Sequence, residues 1–291
     1  MNQKIIKLNF CNINNFGDSL NLILFSNLFN VKVEYASVKK ADFMGIGSII
    51  DDLLYKKREF LLCHLKNYLF NDEHSIKILS SGLGFDLSTH QRGGKYMYSR
   101  QLRRNVECVV LRGRKTKKQL EGFLCKKLDN VILGDGGLLC SELCELRNQK
   151  KYDLGIIPHY ADANDFVFEK IRENNKNSII LNPANFEPIE FLKKLAECST
   201  IISTGMHPLI AADSLGIPNL WARISEITTS YYKYEDYYSA FDLVKKPINL
   251  YDFSDVKNLA SYVESSYDMP KSILDDRKLS IYKAIKKSIE Q

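Results

Sequence analysis

The fold is decided by the stretch Ser203-Thr-Gly-Met-His-Pro-Leu-Ile-Ala-Ala-Asp-Ser-Leu-Gly-Ile-Pro218. It begins at the end of an apolar run, Thr200–Ser203, which is typical of a short buried strand that ends in a glycine turn. His207 comes next, followed by a proline, the residue favoured in the first turn of a helix. The apolar segment Leu209–Leu215 predicts a short buried helix, and Gly216 ends it. The sequence therefore places a histidine where a strand ends and a helix begins.

A histidine at this position indicates chemistry on an anion. The first turn of a helix has free backbone N–H groups, and the helix dipole adds partial positive charge there. In an α/β sheet, the carboxyl ends of the strands are also the edge at which ligands bind. We therefore expect His207 to act on a phosphate or a carboxylate.

The rest of the chain alternates short apolar segments with longer helical ones, which favours parallel sheets covered by helices. Strands are predicted at Ile5–Phe10, Val31–Tyr35, Ala41–Met44, Ile76–Ser80, Val106–Leu111, Asn130–Leu133, Leu154–Ile157, Ser178–Leu181, Thr200–Ser203 and Ile217–Leu220. Helices are predicted at Ser19–Phe29, Ile50–Phe70, Lys115–Lys127, Asn164–Asn174, Glu187–Cys198, Pro208–Leu215 and Ile273–Gln291. The prediction is an α/β protein with two Rossmann-like domains, residues 1–147 and 148–291, facing each other across a cleft. The lysine-rich segment Leu146–Tyr152 is interpreted as the linker.

Composition excludes several classes of protein. The chain has 291 residues, 45% of them hydrophobic and 26% charged, and a formal net charge of +6. This modest basic balance fits anionic small molecules better than a dedicated nucleic-acid binder. The cysteines form no C-x-x-C pair at zinc spacing, so we expect no metal site. The start of the chain lacks an apolar signal region and no apolar run approaches membrane-spanning length, so we expect a cytoplasmic protein, at most peripheral to a membrane.

A second candidate site follows the first strand, in Asn14-Asn-Phe-Gly-Asp-Ser-Leu20. Gly17 permits a turn, and either Asp18 or Ser19 can cap the helix that follows. A plain helix cap is one interpretation of Asp18. The other places its carboxylate at the cleft, where it accepts hydrogen bonds from a hydroxyl of the ligand.

Three further segments carry residue types suited to anions or sugars. Leu111-Arg-Gly-Arg-Lys-Thr116 follows a predicted strand, and Arg112 with Arg114 can clamp an anion or form a solvated basic turn. His159 ends the first strand of the second series, at the same predicted sheet edge as His207. The segment Tyr231-Tyr-Lys-Tyr-Glu-Asp-Tyr-Tyr238 either stacks on a sugar ring, with Lys233 on the hydroxyls, or packs a helix at the domain interface.

Taken together, these motifs resemble the polysaccharide pyruvyl transferase family. The matching pieces are Asn15-Phe-Gly-Asp18, Gly45-Ile-Gly-Ser48, Arg112-Gly-Arg-Lys-Thr116, Gly134-Asp-Gly-Gly-Leu-Leu139, Ile157-Pro-His-Tyr160, Met206-His207, Ala211-Ala-Asp-Ser-Leu-Gly-Ile-Pro-Asn219 and Lys233-Tyr-Glu-Asp-Tyr-Tyr238. Two positions depart from the family pattern. The family often has Arg-Leu-His-Gly where this chain has Gly205-Met-His-Pro208, and Gly-Asp-Pro where it has Gly134-Asp-Gly136. The arginine missing at Gly205 removes one anion contact, for which Arg114 or Arg223 can compensate.

The resemblance implies a fold like that of the two-domain GT-B glycosyltransferases, with the acceptor on the first domain and the donor on the second. It implies phosphoenolpyruvate as donor and a pair of sugar hydroxyls as acceptor, giving a pyruvate ketal on a capsular or other surface polysaccharide, and no cofactor or metal. Arg112 and Arg114 would hold the donor, and His207, flanked by Gly205 and Met206, would touch the leaving phosphate. His159 is the other acid/base candidate, and Gly17, Asp18 and Lys233 lie on the acceptor side. A lipid-linked acceptor would bring the protein to the inner face of a membrane.

Two other functions compete with this one. A GT-B glycosyltransferase that uses a nucleotide sugar needs the same anion contacts, together with an acidic residue on the ribose, for which Glu226 is a weak candidate. A non-catalytic binding protein on the same fold is the third interpretation, but the loss of activity it supposes should also have removed the two histidines and the arginine pair.

Overall fold

The computed structural model describes residues 3–11, 15–56, 75–87, 91–92, 95–96, 98–143, 145, 149–224 and 230–291. Its strands are β1 (Lys4–Asn9), β2 (Val31–Tyr35), β3 (Phe43–Met44), β4 (Leu54–Lys56), β5 (Ile76–Ser81), β6 (Gln91–Arg92), β7 (Lys95–Tyr96), β8 (Tyr98–Leu102), β9 (Val106–Leu111), β10 (Ile132–Leu133), β11 (Tyr152–Ile157), β12 (Ser178–Ile180), β13 (Cys198–Ser203), β14 (Asn219–Arg223) and β15 (Ile248–Asn249). Its α-helices are α1 (Phe16–Phe29), α2 (Arg114–Leu124), α3 (Phe166–Asn174), α4 (Pro188–Ala196), α5 (Met206–Ser214), α6 (Tyr231–Ser239), α7 (Leu250–Phe253), α8 (Leu259–Ser266) and α9 (Lys271–Glu290). Short 3₁₀ helices cover Ile50–Leu53, Gly136–Glu142 and Pro183–Asn185.

Two parallel sheets organise the chain, as the sequence predicts. The first has the strand order β10-β9-β5-β3-β1-β2, and the second β12-β11-β13-β14-β15. Every pairing within them is parallel. Two small antiparallel pairs, β4 with β8 and β6 with β7, accompany them. The α/β class with two parallel sheets is confirmed.

The predicted helix Ile50–Phe70 is wrong over its described residues, 50–56. Among these residues, the chain forms a single 3₁₀ turn, at Ile50–Leu53. The chain then enters β4, where Leu54 pairs with Leu102 of β8. Leu53 and Leu54 are buried at this point, so the apolar run serves a strand pairing that local periodicity cannot detect. Residues 57–70 lie outside the described part of the chain, as do residues 146–148 of the predicted linker.

Helix α5 matches the predicted buried helix and begins two residues earlier, at Met206. Gly216 ends it in the left-handed conformation, with φ of 65°, which glycine adopts without steric cost. Near this end, the buried carboxylate of Asp213 accepts hydrogen bonds from Tyr237 Oη at 2.7 Å, Tyr267 Oη at 3.0 Å and Asn219 Nδ2 at 2.6 Å. These contacts fix the far end of the helix that carries His207.

The apolar core continues across the predicted boundary between residues 147 and 148. The largest buried cluster joins residues of the first sheet, such as Leu8 and Ile78, to Leu209 and Ile210 of α5. A second cluster joins Phe16 of α1 to Phe191 of α4, with ring centroids 4.6 Å apart. Burial of these side chains therefore stabilises both halves together.

Helix α9 returns to the first sheet, where it packs against β9, β10 and the 3₁₀ helix Gly136–Glu142. Ile281, Ile285 and Ile289 are buried in the large cluster. Lys278 Nζ donates to Ser141 Oγ at 2.8 Å and to the Ser214 carbonyl at 3.1 Å. The chain thus covers its first sheet with residues 271–290.

A buried ion pair joins α6 to the end of β9. Arg112 and Asp236 are both fully buried, and Arg112 Nε lies 3.1 Å from Asp236 Oδ2. The same carboxylate accepts hydrogen bonds from the Thr116 backbone N–H at 2.8 Å and the Thr116 hydroxyl at 2.6 Å. Arg112 Nη1 donates to Ser48 Oγ at 2.6 Å, and Nη2 donates to the Leu83 carbonyl. Both charges are therefore paired and hydrogen-bonded, which buried charges require.

Replacing Asp236 with alanine should destabilise the protein by about 3–5 kcal/mol, because it leaves the Arg112 guanidinium buried without its counter-ion. Urea denaturation of Asp236→Ala measures this change. Asp255→Ala is the matched control, since it removes the carboxylate of an exposed pair with Lys170 and should cost about 0–1 kcal/mol. Equal losses in the two variants would contradict the importance given to the buried pair.

Candidate functional site

A cavity of about 310 Å³ lies between the two sheets and collects most of the predicted site residues. Its walls include residues that follow the carboxyl ends of β1, β3, β11, β12 and β13, the edge at which α/β proteins bind ligands. Seven of the nine predicted residues line it: Gly17, Asp18, His159, Gly205, Met206, His207 and Lys233. Arg112 and Arg114 are not among the lining residues.

On the side of the first sheet, the cavity wall is the first turn of α1. Asn15 caps this helix, and its Oδ1 accepts the Asp18 backbone N–H at 3.0 Å. The expectation that Asp18 or Ser19 is the cap is therefore wrong, because Asn15 already occupies the capping position. The Asp18 carboxylate instead accepts hydrogen bonds from the Asn15 side-chain amide and the Cys11 thiol.

Asp18 is tuned to change its protonation near neutral pH. Burial raises the pKa of its carboxyl to about 6, against the opposing effects of its hydrogen bonds and of Lys233. A carboxylate with this pKa is ionised at neutral pH and still has an appreciable affinity for a proton. It is suited to act as a general base.

His207 packs directly on the backbone of Gly17. A Cβ atom added at Gly17 would lie 1.9 Å from His207 Nδ1, so only glycine lets the imidazole occupy this position. The opposite ring nitrogen, Nε2, is buried and has no hydrogen-bond partner among the described residues. A buried polar atom of this kind is costly unless a ligand completes its hydrogen bond.

The helix that presents His207 leaves its first turn open. Its N-cap residue, Gly205, supplies no side-chain hydrogen bond to the helix. Ser203 Oγ accepts the Gly205 N–H at 3.0 Å, which satisfies the residue before the helix and leaves the N–H groups of the first turn without a side-chain cap. With the helix dipole, these groups attract an anion.

His159 lies on the loop after β11, on the side of the second sheet. Its Nδ1 accepts the Ala161 backbone N–H at 3.3 Å, so the neutral ring carries its proton on Nε2. Its backbone N–H donates to the Thr204 hydroxyl oxygen at 2.7 Å, which ties the β11 and β13 loops together. The Tyr160 ring lies 4.2 Å from the imidazole, centroid to centroid.

Both histidines are neutral at pH 7. Burial, the largest cause, and the positive charges of Lys233 and Arg112 together lower the pKa of His207 to about 3. Burial and Lys233 lower the pKa of His159 to about 4. The positive charge that disfavours protonation here would be offset by a bound anion, which raises the pKa of a neighbouring histidine.

Among the described residues, Lys233 is the only lysine or arginine that lines this cavity. Burial, the largest cause, and the charge of Arg112 lower the pKa of its ammonium to about 8, against the opposing effects of Asp162 and Asp18. The amine remains charged at neutral pH and can still give up its proton. Its Nζ lies 5.3 Å from the centre of the Tyr234 ring, and no hydrogen bond or ion pair holds it within the described chain.

The two arginines bind helix α6 and not a ligand, which corrects the expectation that they clamp a donor. Arg112 is fully buried on Asp236. Arg114 donates from Nε to the Ser239 carbonyl at 3.0 Å and from Nη2 to Asp242 at 2.8 Å, at the end of the same helix. Arg223, proposed as a substitute, donates to the Tyr231 hydroxyl. The guanidinium groups position the helix that carries Lys233.

The tyrosines of α6 pack inside the protein, so the structure favours the packing interpretation over the sugar platform. Tyr232, Tyr234, Tyr237 and Tyr238 are all buried. The Tyr234 ring stacks on Trp221 with centroids 4.4 Å apart, and its hydroxyl donates to the Thr204 carbonyl at 2.6 Å. They fix the orientation of α6 and, with it, of Lys233.

Sequence reasoning missed one wall of the cavity, formed by Asn182, Pro183 and Ala184. These residues follow the predicted strand Ser178–Leu181, so their position after a strand end was the signal that could have identified them. Glu226, the candidate for the ribose contact in the glycosyltransferase alternative, lies outside the described residues.

Within the described ranges, no helix has the length and apolar character needed to span a membrane. The same ranges contain no group of three or more histidine, cysteine or carboxylate side chains arranged to hold a metal ion.

Two parallel sheets with a cavity between their carboxyl edges define an α/β protein of GT-B-like architecture. A solved structure from Listeria monocytogenes, described as that of a UDP-N-acetylglucosamine 2-epimerase, has this fold, with a TM-score of 0.50 and 10% identity over 98% of this chain and 91% of that one. A functionally uncharacterised protein from Klebsiella pneumoniae aligns with a TM-score of 0.44 and 14% identity, covering 81% of this chain and 87% of the other.

The chain belongs to the polysaccharide pyruvyl transferase family, which it matches over residues 2–225. An uncharacterised protein of Acanthamoeba polyphaga mimivirus is 28% identical over 176 residues. That alignment covers 55% of this chain and 61% of the viral protein, so the match spans less than two thirds of the relative's length. The match to the family includes every cavity-lining residue singled out above except Lys233.

Gly17→Ala should displace the His207 ring, because the added methyl group would occupy the position of Nδ1. We expect the imidazole NMR signals of His207 to shift strongly. Gly122→Ala in α2 is the control, since no atom lies within 4 Å of the added Cβ; it should leave those signals unchanged and stabilise the helix by about 1 kcal/mol. Unchanged His207 signals in Gly17→Ala would refute the close contact.

Proposed function

We propose that this protein transfers the enolpyruvyl group of phosphoenolpyruvate to two hydroxyls of a polysaccharide sugar, forming a pyruvate ketal and releasing phosphate. The observation that carries the proposal is the uncapped start of α5, where His207 Nε2 is buried without a partner at a cavity that also holds Lys233. The arrangement combines an anion site with the acid and base that the reaction needs. Family membership supports a transferase acting on polysaccharides.

The donor would lie with its phosphate at the first turn of α5. The backbone N–H groups there and His207 Nε2 provide hydrogen-bond partners for phosphate oxygens. Lys233 then faces the second anionic group, the carboxylate. Lys233 thereby replaces the arginine contact that is missing at Gly205, a role that neither Arg114 nor Arg223 is placed to fill.

The first step joins the sugar to the donor. Asp18 takes the proton of the attacking hydroxyl as its oxygen bonds to the central carbon of the donor. Lys233 delivers a proton to the methylene carbon, which becomes a methyl group, and Asp18 returns its proton to the amine. Each positioned proton transfer contributes about 10²–10⁴-fold to the rate.

The second step closes the ketal. The oxygen of the second hydroxyl displaces the phosphate at the same carbon, and the departing phosphate takes the hydroxyl proton, while His159 donates a hydrogen bond from its protonated Nε2. That proton leaves with the phosphate, and His207 stabilises the departing group. One hydroxyl proton thus ends on carbon and the other on phosphate, so the step needs no oxidant, reductant or further reactant.

His207→Ala should reduce phosphate release from phosphoenolpyruvate by about 10²–10³-fold, the loss typical of a group that stabilises developing charge. The circular dichroism spectrum and the urea midpoint should be preserved. His207→Gln is the matched variant: it retains a hydrogen-bonding group, so donor binding measured by calorimetry should fall less than in the alanine variant. Wild-type turnover in His207→Ala would refute the assignment.

The same calorimetry distinguishes the glycosyltransferase alternative. Phosphoenolpyruvate should bind to the wild-type protein, and a panel of UDP- and GDP-sugars should bind more weakly. Tight binding of a nucleotide sugar, without binding of phosphoenolpyruvate, would overturn the proposed function.

The pH dependence of kcat/KM should be bell-shaped. Asp18 must be ionised, so the rate rises as pH increases through about 6, and Lys233 must be protonated, so the rate falls as pH increases through about 8. Lys233→Arg keeps the positive charge, because arginine stays protonated in this range. Its residual activity should lose the alkaline limb. An alkaline limb near 8 that persists in this variant would exclude Lys233 as its origin.

A further inference from the structure

A second cavity, of about 260 Å³, opens beside the first. It lies between the first turn of α1 and the segment that leads from β12 into α4. Asn15, Phe16, Pro183 and Ala184 line both cavities, so the two are neighbours that share one wall. We call this second cavity the side groove.

The side groove presents polar atoms that the protein itself does not use. Ser19, Asn185, Glu187 and Glu190 line it. Within the described chain, none of their side chains takes part in a hydrogen bond or an ion pair, and Asn185, Glu187 and Glu190 are exposed. A hydroxyl, an amide and two carboxylates are therefore free to bond to a ligand.

Its charge differs in sign from that of the main cavity. The main cavity contains Lys233 and the start of α5, which attract anions. The described lining of the side groove contains no lysine, arginine or histidine, and its charged groups are Glu187 and Glu190. Phosphates, nucleotides and uronic acids would be repelled there, whereas hydroxyl and ammonium groups are suited to carboxylate acceptors.

An aromatic ring completes the lining. Phe186 is half-buried in the groove wall and packs near Phe191, with ring centroids 6.4 Å apart. A fixed aromatic ring beside hydroxyl-binding groups is an arrangement that accommodates the apolar C–H face of a sugar ring.

We propose that the side groove binds the sugar residue adjacent to the one that receives the pyruvyl group, and that this residue is a neutral or amino sugar. The inference rests on the proposed function, because that function places the modified sugar in the main cavity. It makes the acceptor a saccharide of two or more residues. The carboxylates of Glu187 and Glu190 select against an acidic residue at the second position.

The test measures disaccharide binding and donor binding separately, by saturation-transfer NMR and calorimetry, at physiological salt. The probes are lactose, cellobiose, diacetylchitobiose and the glucosamine disaccharide, each compared with the methyl glycosides of its units, and digalacturonate as the acidic counterpart. At least one neutral or amino disaccharide should bind about tenfold more tightly than its methyl glycosides, the gain expected from added hydrogen bonds to carboxylates. Digalacturonate should show no such gain.

The double substitution Glu187→Lys with Glu190→Lys reverses the charge of the groove. It should weaken binding of the preferred disaccharide by about tenfold and strengthen binding of digalacturonate. Glu173→Lys on the exposed surface of α3 is the control for one such charge reversal, and it should change neither. Screening at physiological salt limits the effect on the main cavity, so phosphoenolpyruvate binding should persist in all variants.

The outcomes separate the two proposals. Binding of phosphoenolpyruvate without a disaccharide preference, or a preference that the charge reversal leaves unchanged, would overturn the side groove as a sugar site and leave the proposed function standing. Disaccharide binding that depends on Glu187 and Glu190, in a protein that does not bind phosphoenolpyruvate, would support the sugar site and overturn the donor assignment.

Discussion

The pairing of Arg112 with Asp236 is the interaction on which the rest of the site depends. Two charges that would be costly if buried separately are buried together, one at the end of β9 and the other in the middle of α6. Arg112 also reaches Ser48, which lines the cavity. One guanidinium group thus links the floor of the cavity to the helix that supplies Lys233. Its charge also lowers the pKa of both Lys233 and His207, so the pair sets the geometry of the site and part of its electrostatics.

The features predicted correctly are those encoded within a few residues. Apolar runs that end in glycine or proline turns located the strands, and the carboxyl edge of parallel strands brought His159 and His207 to the same cavity. The errors at Arg112 and at Leu53–Leu54 arise from distant partners. Asp236 is separated from Arg112 by 124 positions. Local sequence therefore predicts that Arg112 is free to bind an anion, whereas in the fold it pairs with Asp236. The apolar run at Leu53–Leu54 matched helical periodicity, yet it pairs with a strand near Leu102. In the sequence, Glu187 and Glu190 look like ordinary residues at the start of a helix. They line a groove because the first turn of α1, distant in sequence, lies opposite them.

Charge divides the ligand-binding surface into two regions. Lys233 and the start of α5 make the main cavity attractive to anions, and the carboxylates of the side groove favour uncharged or cationic groups. Under the proposed function, a neutral or amino sugar in the side groove does not compete with the donor for positive charge.

Helix α9 affects when the chain can complete its folding during synthesis. It covers β9 and β10, strands that are translated more than a hundred residues earlier. During synthesis, the first half emerges from the ribosome with the surface later covered by Ile281, Ile285 and Ile289 still exposed. Domains that acquire their last covering element late expose apolar surface for longer, which favours capture by chaperones or aggregation. We expect nascent chains of this protein to reach their native state only after residues 271–290 have been released.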